Sequence, residues 1–145
     1  MKNAELWAKQ TTVKVLADKS YGALYKNAPV LVFHAAKNEY ESAQIIITAA
    51  EDIRDYRVEL SHIQSENRMY YIWKDCFTVY HQKYIEVKRN SKGAEEKGFG
   101  KGLYPDALLP YEKAVEYREN KVERGKNQAV FISLHVPKDQ PAGRY

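Results

Sequence analysis

Apolar and polar residues alternate with a period of two along much of this chain, the pattern of strands that bury one face. In residues 11–16 (TTVKVL), Thr12, Lys14 and Leu16 oppose Thr11, Val13 and Val15. Residues 29–36 (PVLVFHAA) open on a proline and are rich in branched and aromatic side chains. Residues 43–50 (AQIIITAA) are apolar on both faces, as a strand at the centre of a sandwich must be. In 56–61 (YRVELS), Tyr56, Val58 and Leu60 share one face and Arg57 and Glu59 the other. Two more strands are predicted at 70–73 (YYIW) and 76–87 (CFTVYHQKYIEV), the second long enough to bend or divide. Residues 128–136 (QAVFISLHV) set Val130, Ile132, Leu134 and Val136 against Ala129, Phe131, Ser133 and His135.

Helical signals are thin. Residues 110–125 (PYEKAVEYRENKVERG) support one or two turns, with Glu112 and Glu116 near the start and Gly125 as the stop, but carry no wide apolar stripe. Residues 90–102, with four glycines, and 104–110 (YPDALLP) read as loops. Short strands without intervening helices predict an all-β fold, an antiparallel two-sheet β-sandwich of immunoglobulin-like or jelly-roll-like form. Its expected core is Ile45, Ile47, Val58, Leu60, Val130, Ile132 and Leu134. The last residues, HVPKDQPAGRY, read as a strand end, a proline-flanked turn and the start of another strand. The expectation is one domain over 1–145, a piece of a longer protein that stops before its last strand or strands. The 128–136 strand would then lack a neighbour, and its unpaired edge would invite self-association.

At 145 residues, 44% hydrophobic and 29% charged, the chain suits a single globular domain with a real core. No apolar run approaches the roughly 18 residues that a bilayer requires, and the opening MKNAELWAKQ lacks the core of a signal peptide. No membrane partner is expected, and the residues do not decide between a secreted and a cytoplasmic location. The net charge of +4 raises the possibility of nucleic acid, yet Lys and Arg are interleaved with acids instead of clustering on one face. A nucleic-acid partner is therefore not expected. The single Cys76 excludes an internal disulfide and, lying in an apolar run, reads as an inert buried thiol.

Candidate chemistry is sparse. Glu39 and Glu41 stand two apart before an apolar strand, pointing to one side with Cα atoms roughly 6.5–7 Å apart. A carboxylate pair is what a glycosidase uses, but such pairs come from separate elements facing across a sugar. Nothing else here completes a site, so both are read as scaffold, accepting backbone N–H groups or pairing with loop cations. His34, His62, His81 and His135 lack metal-ligand spacing, and GFGKG lacks the strand–helix setting of a nucleotide loop. No metal, cofactor or catalytic residue is expected.

The 12 tyrosines are the other signal, because aromatic faces stack on sugars. In residues 70–73, Tyr70 and Ile72 face one way and Tyr71 and Trp73 the other, so at least one pair should be core. Residues 104–111 (YPDALLPY) read as a rigid loop, with Asp106 capping a turn and Leu108 and Leu109 plugging the sandwich end. Tyr104, Asp106, Tyr70 and Trp73 are the candidates for sugar or inter-domain contact.

Four segments, in order, carry a resemblance: AAKNEYESAQIIITA (35–49), GLYPDALLPYE (102–112), GKNQAVFISLHVPKD (125–139) and QPAGRY (140–145). Together they resemble the N-terminal β-sandwich domain of glycoside hydrolase family 123. The resemblance implies a bacterial accessory domain that precedes a catalytic (β/α)8 barrel. It further implies a parent enzyme of the β-N-acetylgalactosaminidase kind, in which the substrate's own acetamido group is the nucleophile. The family's Asp-Glu pair belongs to the barrel, and no position here matches it. The implied partner is the downstream catalytic domain of the same chain. The alternative is an independent carbohydrate-binding module whose partner is a glycan.

Overall fold

The two most apolar segments, around Ile46 and Val130, pair with each other at the middle of a five-stranded antiparallel sheet. The computed structural model describes residues 3–89 and 101–145. Its sheet has the order β1 (Ala4–Gln10), β2 (Tyr40–Ala49), β7 (Asn127–His135), β5 (Phe77–Val87) and β6 (Gly102–Pro110). A second, two-stranded sheet is formed by β3 (Ile63–Gln64) and β4 (Tyr71–Ile72), with a 3₁₀ turn at Lys74–Cys76. One short helix, α1 (Tyr111–Glu116), follows β6. The fold is all-β and antiparallel, as expected. Among the described residues no helix is long and apolar enough to cross a membrane.

Strand periodicity divides the large sheet into two faces. The first carries Ile45, Ile47, Val130, Ile132 and Val79, and residues 31–33, 53–60 and Val122 pack over it. All seven expected core residues lie on or over this face. Ile47, Val130, Ile132 and Leu134 are buried, while Ile45, Val58 and Leu60 are partly buried against the same clusters. The second face carries Trp7, Ile46 and Ala129 beneath Val13, Val15, Tyr21 and Tyr25.

A buried polar relay fastens that second layer. The Trp7 indole N–H donates to Thr48 Oγ1 at 2.8 Å, and the Thr48 hydroxyl donates to Asn127 Oδ1 at 2.7 Å. Asn127 Nδ2 then donates to the carbonyls of Leu16 (3.0 Å) and Lys19 (2.8 Å). Such a relay satisfies every buried group it crosses, which burial otherwise penalises.

Several expected elements differ. Residues 11–16 form no strand, because the Gln44 amide donates to the carbonyls of Gln10 (2.8 Å) and Val13 (2.7 Å) and turns the chain across the second face. This strap reaches the far edge, where Ala17 N–H meets the Leu103 carbonyl at 3.1 Å. Residues 29–36 and 56–61 belong to no sheet, although alternate side chains (Leu31 and Phe33; Tyr56, Val58 and Leu60) are turned at least partly away from solvent. The chain covering the sheet on either face is thus mostly outside any ladder, held by side-chain packing and by scattered hydrogen bonds such as those of Gln44 and Asn127.

The expected loop 104–110 is strand β6. Its prolines are tolerated because β6 pairs only with β5 and bulges opposite Lys83 and Tyr84. Gly102 opens this strand at φ 151°, where a Cβ would stand 2.9 Å from Leu16 Cδ2, so only glycine fits. The rest of the expected loop, residues 90–100, lies outside the described residues.

Strand β7, expected to lack a neighbour, sits between β2 and β5. The unpaired edge invoked for self-association is therefore absent from that strand. Strand β1 had no counterpart in the expected set. The helix ends at Glu116, well before Gly125, because Ile53 and Val122 exchange backbone hydrogen bonds at 2.8 Å and draw that segment over the first face.

Candidate functional site

The carboxylates that first suggested chemistry have separate structural settings. Glu39 Oε2 accepts the Ala36 N–H at 2.5 Å, closing a turn in which Asn38 has φ 61°. Asn38 N–H donates to the Val136 carbonyl and Val136 N–H to the Glu39 carbonyl, both at 2.9 Å, which ties the second half of that turn to the end of β7. Glu41 lies within β2, opposite Leu134, and is half-buried. It lines a cleft of about 440 Å³ with Lys9, Thr12 and His34, and Glu39 does not. A pair acting across a sugar needs both carboxyl groups in one cavity. These two do not share one.

A larger cavity of about 840 Å³ lies between residues 30–37 and 140–145. Its floor is Ile63, Ile72, Phe77, Leu134 and Val136, and no Asp or Glu is among its described lining residues. Among the described residues no group of three or more His, Cys, Asp or Glu could hold a metal ion.

A buried hydrogen bond joins Tyr56 Oη and His81 Nδ1 at 2.6 Å. Burial lowers the His81 pKa from its usual 6.5, against an opposing pull from Glu119. Burial also raises the Tyr56 pKa above the ordinary phenol range, with Tyr111 and Tyr84 adding to it. The Tyr56 carbonyl accepts from Tyr111 Oη (2.8 Å) and Asn120 Nδ2 (3.0 Å). His81 is only 4% exposed, and this network fixes residues 55–58 over the sheet.

The four sequence-selected contact residues fall into two groups. Asp106 is the extra residue of the β6 bulge, not a turn cap. Lys14 Nζ lies 3.8 Å from it and donates to the Pro105 carbonyl at 3.0 Å, anchoring the strap. Tyr104 is half-buried nearby, opposite Ile85. Leu109 is half-buried but Leu108 is exposed, so that pair does not plug the sandwich end.

Tyr70 and Trp73 flank β4 at the other end of β5. Positions Phe77 and Ile85 mark the two ends, eight residues or about 27 Å apart along the strand. The four therefore form no single site. Ile72 supplies the inward residue of β4, and Trp73 is 59% exposed. Its ring stacks on Tyr71 at 5.5 Å and 27°, and His62 lies 5.5 Å from Trp73 and 5.1 Å from Tyr71. Gln64 Nε2 donates to Tyr71 Oη at 2.8 Å and holds that ring in place. His62 was not selected from the sequence, since a lone histidine carries no signal until the hairpin brings it to the rings. Cys76 is half-buried beside Ile72.

Comparison with known proteins adds two findings. The family model described as glycoside hydrolase 123 N-terminal domain matches residues 18–145. Among solved structures, the chain is similar to a family 123 glycoside hydrolase from Clostridium perfringens, studied for the details of glycolipid glycan hydrolysis. The TM-score is 0.73 at 14% identity, over 97% of this chain and 23% of that one. This chain thus spans less than a quarter of that protein's length. No curated protein matches it.

Proposed function

Because the chain belongs to the glycoside hydrolase 123 N-terminal domain family, we propose that it is the non-catalytic accessory domain of a glycosidase of the N-acetylhexosaminidase class. The catalytic residues of that enzyme stand on a barrel downstream in the parent protein. The observation that carries this reading is the family match over residues 18–145. The separate settings of Glu39 and Glu41 support it, since neither faces a second carboxylate across a cavity. In this reading the domain is a rigid sheet against which a catalytic domain is positioned, and the bulged β6 edge with Tyr104 and Asp106 is a contact surface for it.

The test is an assay of the purified chain on a chromogenic β-N-acetylgalactosaminide. The expected result is no turnover above the uncatalysed rate, with activity present when the parent's remaining sequence is joined to it. Turnover by the chain alone that disappears in Glu39→Gln or Glu41→Gln would overturn the reading. A second reading, in which the domain itself holds a glycan, is favoured by the exposed rings of Trp73, Tyr71 and His62.

A further inference from the structure

Past Gln44, the second face of the large sheet emerges from under the strap and carries three rows in cross-strand register. The outermost row is Tyr40 and His135, whose rings stack at 4.4 Å and 19°. The middle row is Ser42, Ser133 and Thr78. The third contains Phe131 and Tyr80, rings edge to face at 6.1 Å, bounded by the strap where Gln44 binds it. Rows two residues apart along a strand are about 7 Å apart, so the two ring rows stand about 14 Å apart with short hydroxyl side chains between them.

None of these residues joins a buried cluster, and Tyr40 is 70% exposed. Across β2, β7 and β5 no Asp, Glu, Lys or Arg stands in these rows, although 29% of the chain is charged; Lys9 continues the third row on β1, where its ammonium lies 4.2 Å over the Tyr25 ring. That neutrality selects against polyanions, which require a cationic surface. An apolar protein surface fits poorly too, because it would strand the three hydroxyls without partners. A pyranose fits both parts. Its C–H faces pack on rings, and its hydroxyls both donate to and accept from Ser and Thr.

We propose that this face binds a neutral oligosaccharide, with Tyr40 and Phe131 as stacking rings and Ser42, Ser133 and Thr78 as hydroxyl partners. The choice of glycans among neutral ligands rests on the glycosidase reading of the parent; the surface itself does not.

The test is a titration of the isotope-labelled chain with tetra-N-acetylchitotetraose, methyl β-N-acetylgalactosaminide and heparin, followed by amide chemical shifts. Saturable shifts confined to the exposed parts of β2, β5 and β7 are expected with at least one neutral sugar and not with heparin. Tyr40→Ala and Phe131→Ala should each weaken binding at least about tenfold, as the loss of a central aromatic anchor does. Tyr40→Phe should retain the ring's contribution, and Trp73→Ala should have no effect. Circular dichroism confirms that each variant is folded. Absence of shifts with both neutral sugars in the folded chain would overturn the proposal while leaving the accessory-domain reading intact, since that reading is tested by hydrolysis. Binding that survives Tyr40→Ala and is lost in Trp73→Ala would place the site on the β3–β4 hairpin and equally overturn it.

Discussion

Replacing Asn127 by alanine should destabilise this domain more than any comparably small change at its surface. The side chain is 4% exposed and ties β1, β2, β7 and the strap together. Truncation removes the bonds to Thr48, Leu16 and Lys19, each worth about 1 kcal/mol net, and leaves the buried Leu16 carbonyl without its side-chain donor at about 1–3 kcal/mol. The Lys19 carbonyl lies nearer solvent and can recruit water. The loss therefore sums to roughly 4–6 kcal/mol, a large part of the ~5–15 kcal/mol that holds a domain folded. Trp7 shares the relay, so urea unfolding followed by tryptophan fluorescence reads the same network. Thr48→Val, which breaks the relay one link earlier, should cost about 1–2 kcal/mol. The double variant should cost less than the sum of the two, because the variants share a bond. An Asn127→Ala loss below about 1 kcal/mol, or strict additivity with Thr48→Val, would refute the idea that the relay fastens the strap.

Stability should fall as pH drops below the unfolded-state histidine value of 6.5, because the unfolded chain then binds a proton that buried His81 resists. His81→Phe should flatten that slope in urea midpoints measured between about pH 7 and about pH 5. At the other extreme, Tyr56 and Tyr84 keep their protons above the normal phenol value of 10.0. The unfolded chain loses them first, so stability should fall again as pH rises past that value. Ile47→Ala, in the first-face core, should cost about 2–5 kcal/mol. Leu108→Ser, at a side chain 43% exposed, should stay within about 0.5 kcal/mol by the same denaturation assay. Lys14→Met should cost no more than about 1 kcal/mol, since its ion pair with Asp106 is half-exposed at 3.8 Å.

Which segments alternate was legible in the sequence; which of them pair was not. Residues 43–50, 76–87 and 128–136 read as strands and lie in or largely within β2, β5 and β7, because branched apolar runs of that length have few other uses; Ile45, Ile47, Val130, Ile132 and Leu134 of the expected core followed from the periodicity of two of them. Residues 11–16, 29–36 and 56–61 show the same alternation yet form no ladder. Alternation records that side chains face opposite ways along an extended chain, and it is silent on where the backbone finds partners. For residues 11–16 the deciding contact is the Gln44 amide on two carbonyls, more than thirty positions away. The opposite error occurred at residues 104–110, where two prolines resembled a loop. Proline is excluded only from strands paired on both sides, and β6 is paired on one.

The same distinction decides what could be known of the site. Glu39 was legible as scaffold because its partner is three residues away, at the Ala36 N–H. The face formed by Tyr40, Ser133 and Thr78 was not, because it exists only through registers joining strands far apart in sequence. Read along β7 alone, Phe131, Ser133 and His135 are simply the opposite side of a strand. They become a surface once β2 and β5 bring rings beside rings and hydroxyls beside hydroxyls, and once the strap stops short of covering them. The strap stops there because Gln44 holds it. Gln44→Ala should therefore loosen residues 10–13 over the third row, seen as faster amide exchange in that segment. It should also weaken any sugar bound between the ring rows while leaving the Trp73 hairpin unchanged. Unaltered exchange at residues 10–13 would show that packing of Val13 and Val15, not the glutamine, positions the strap.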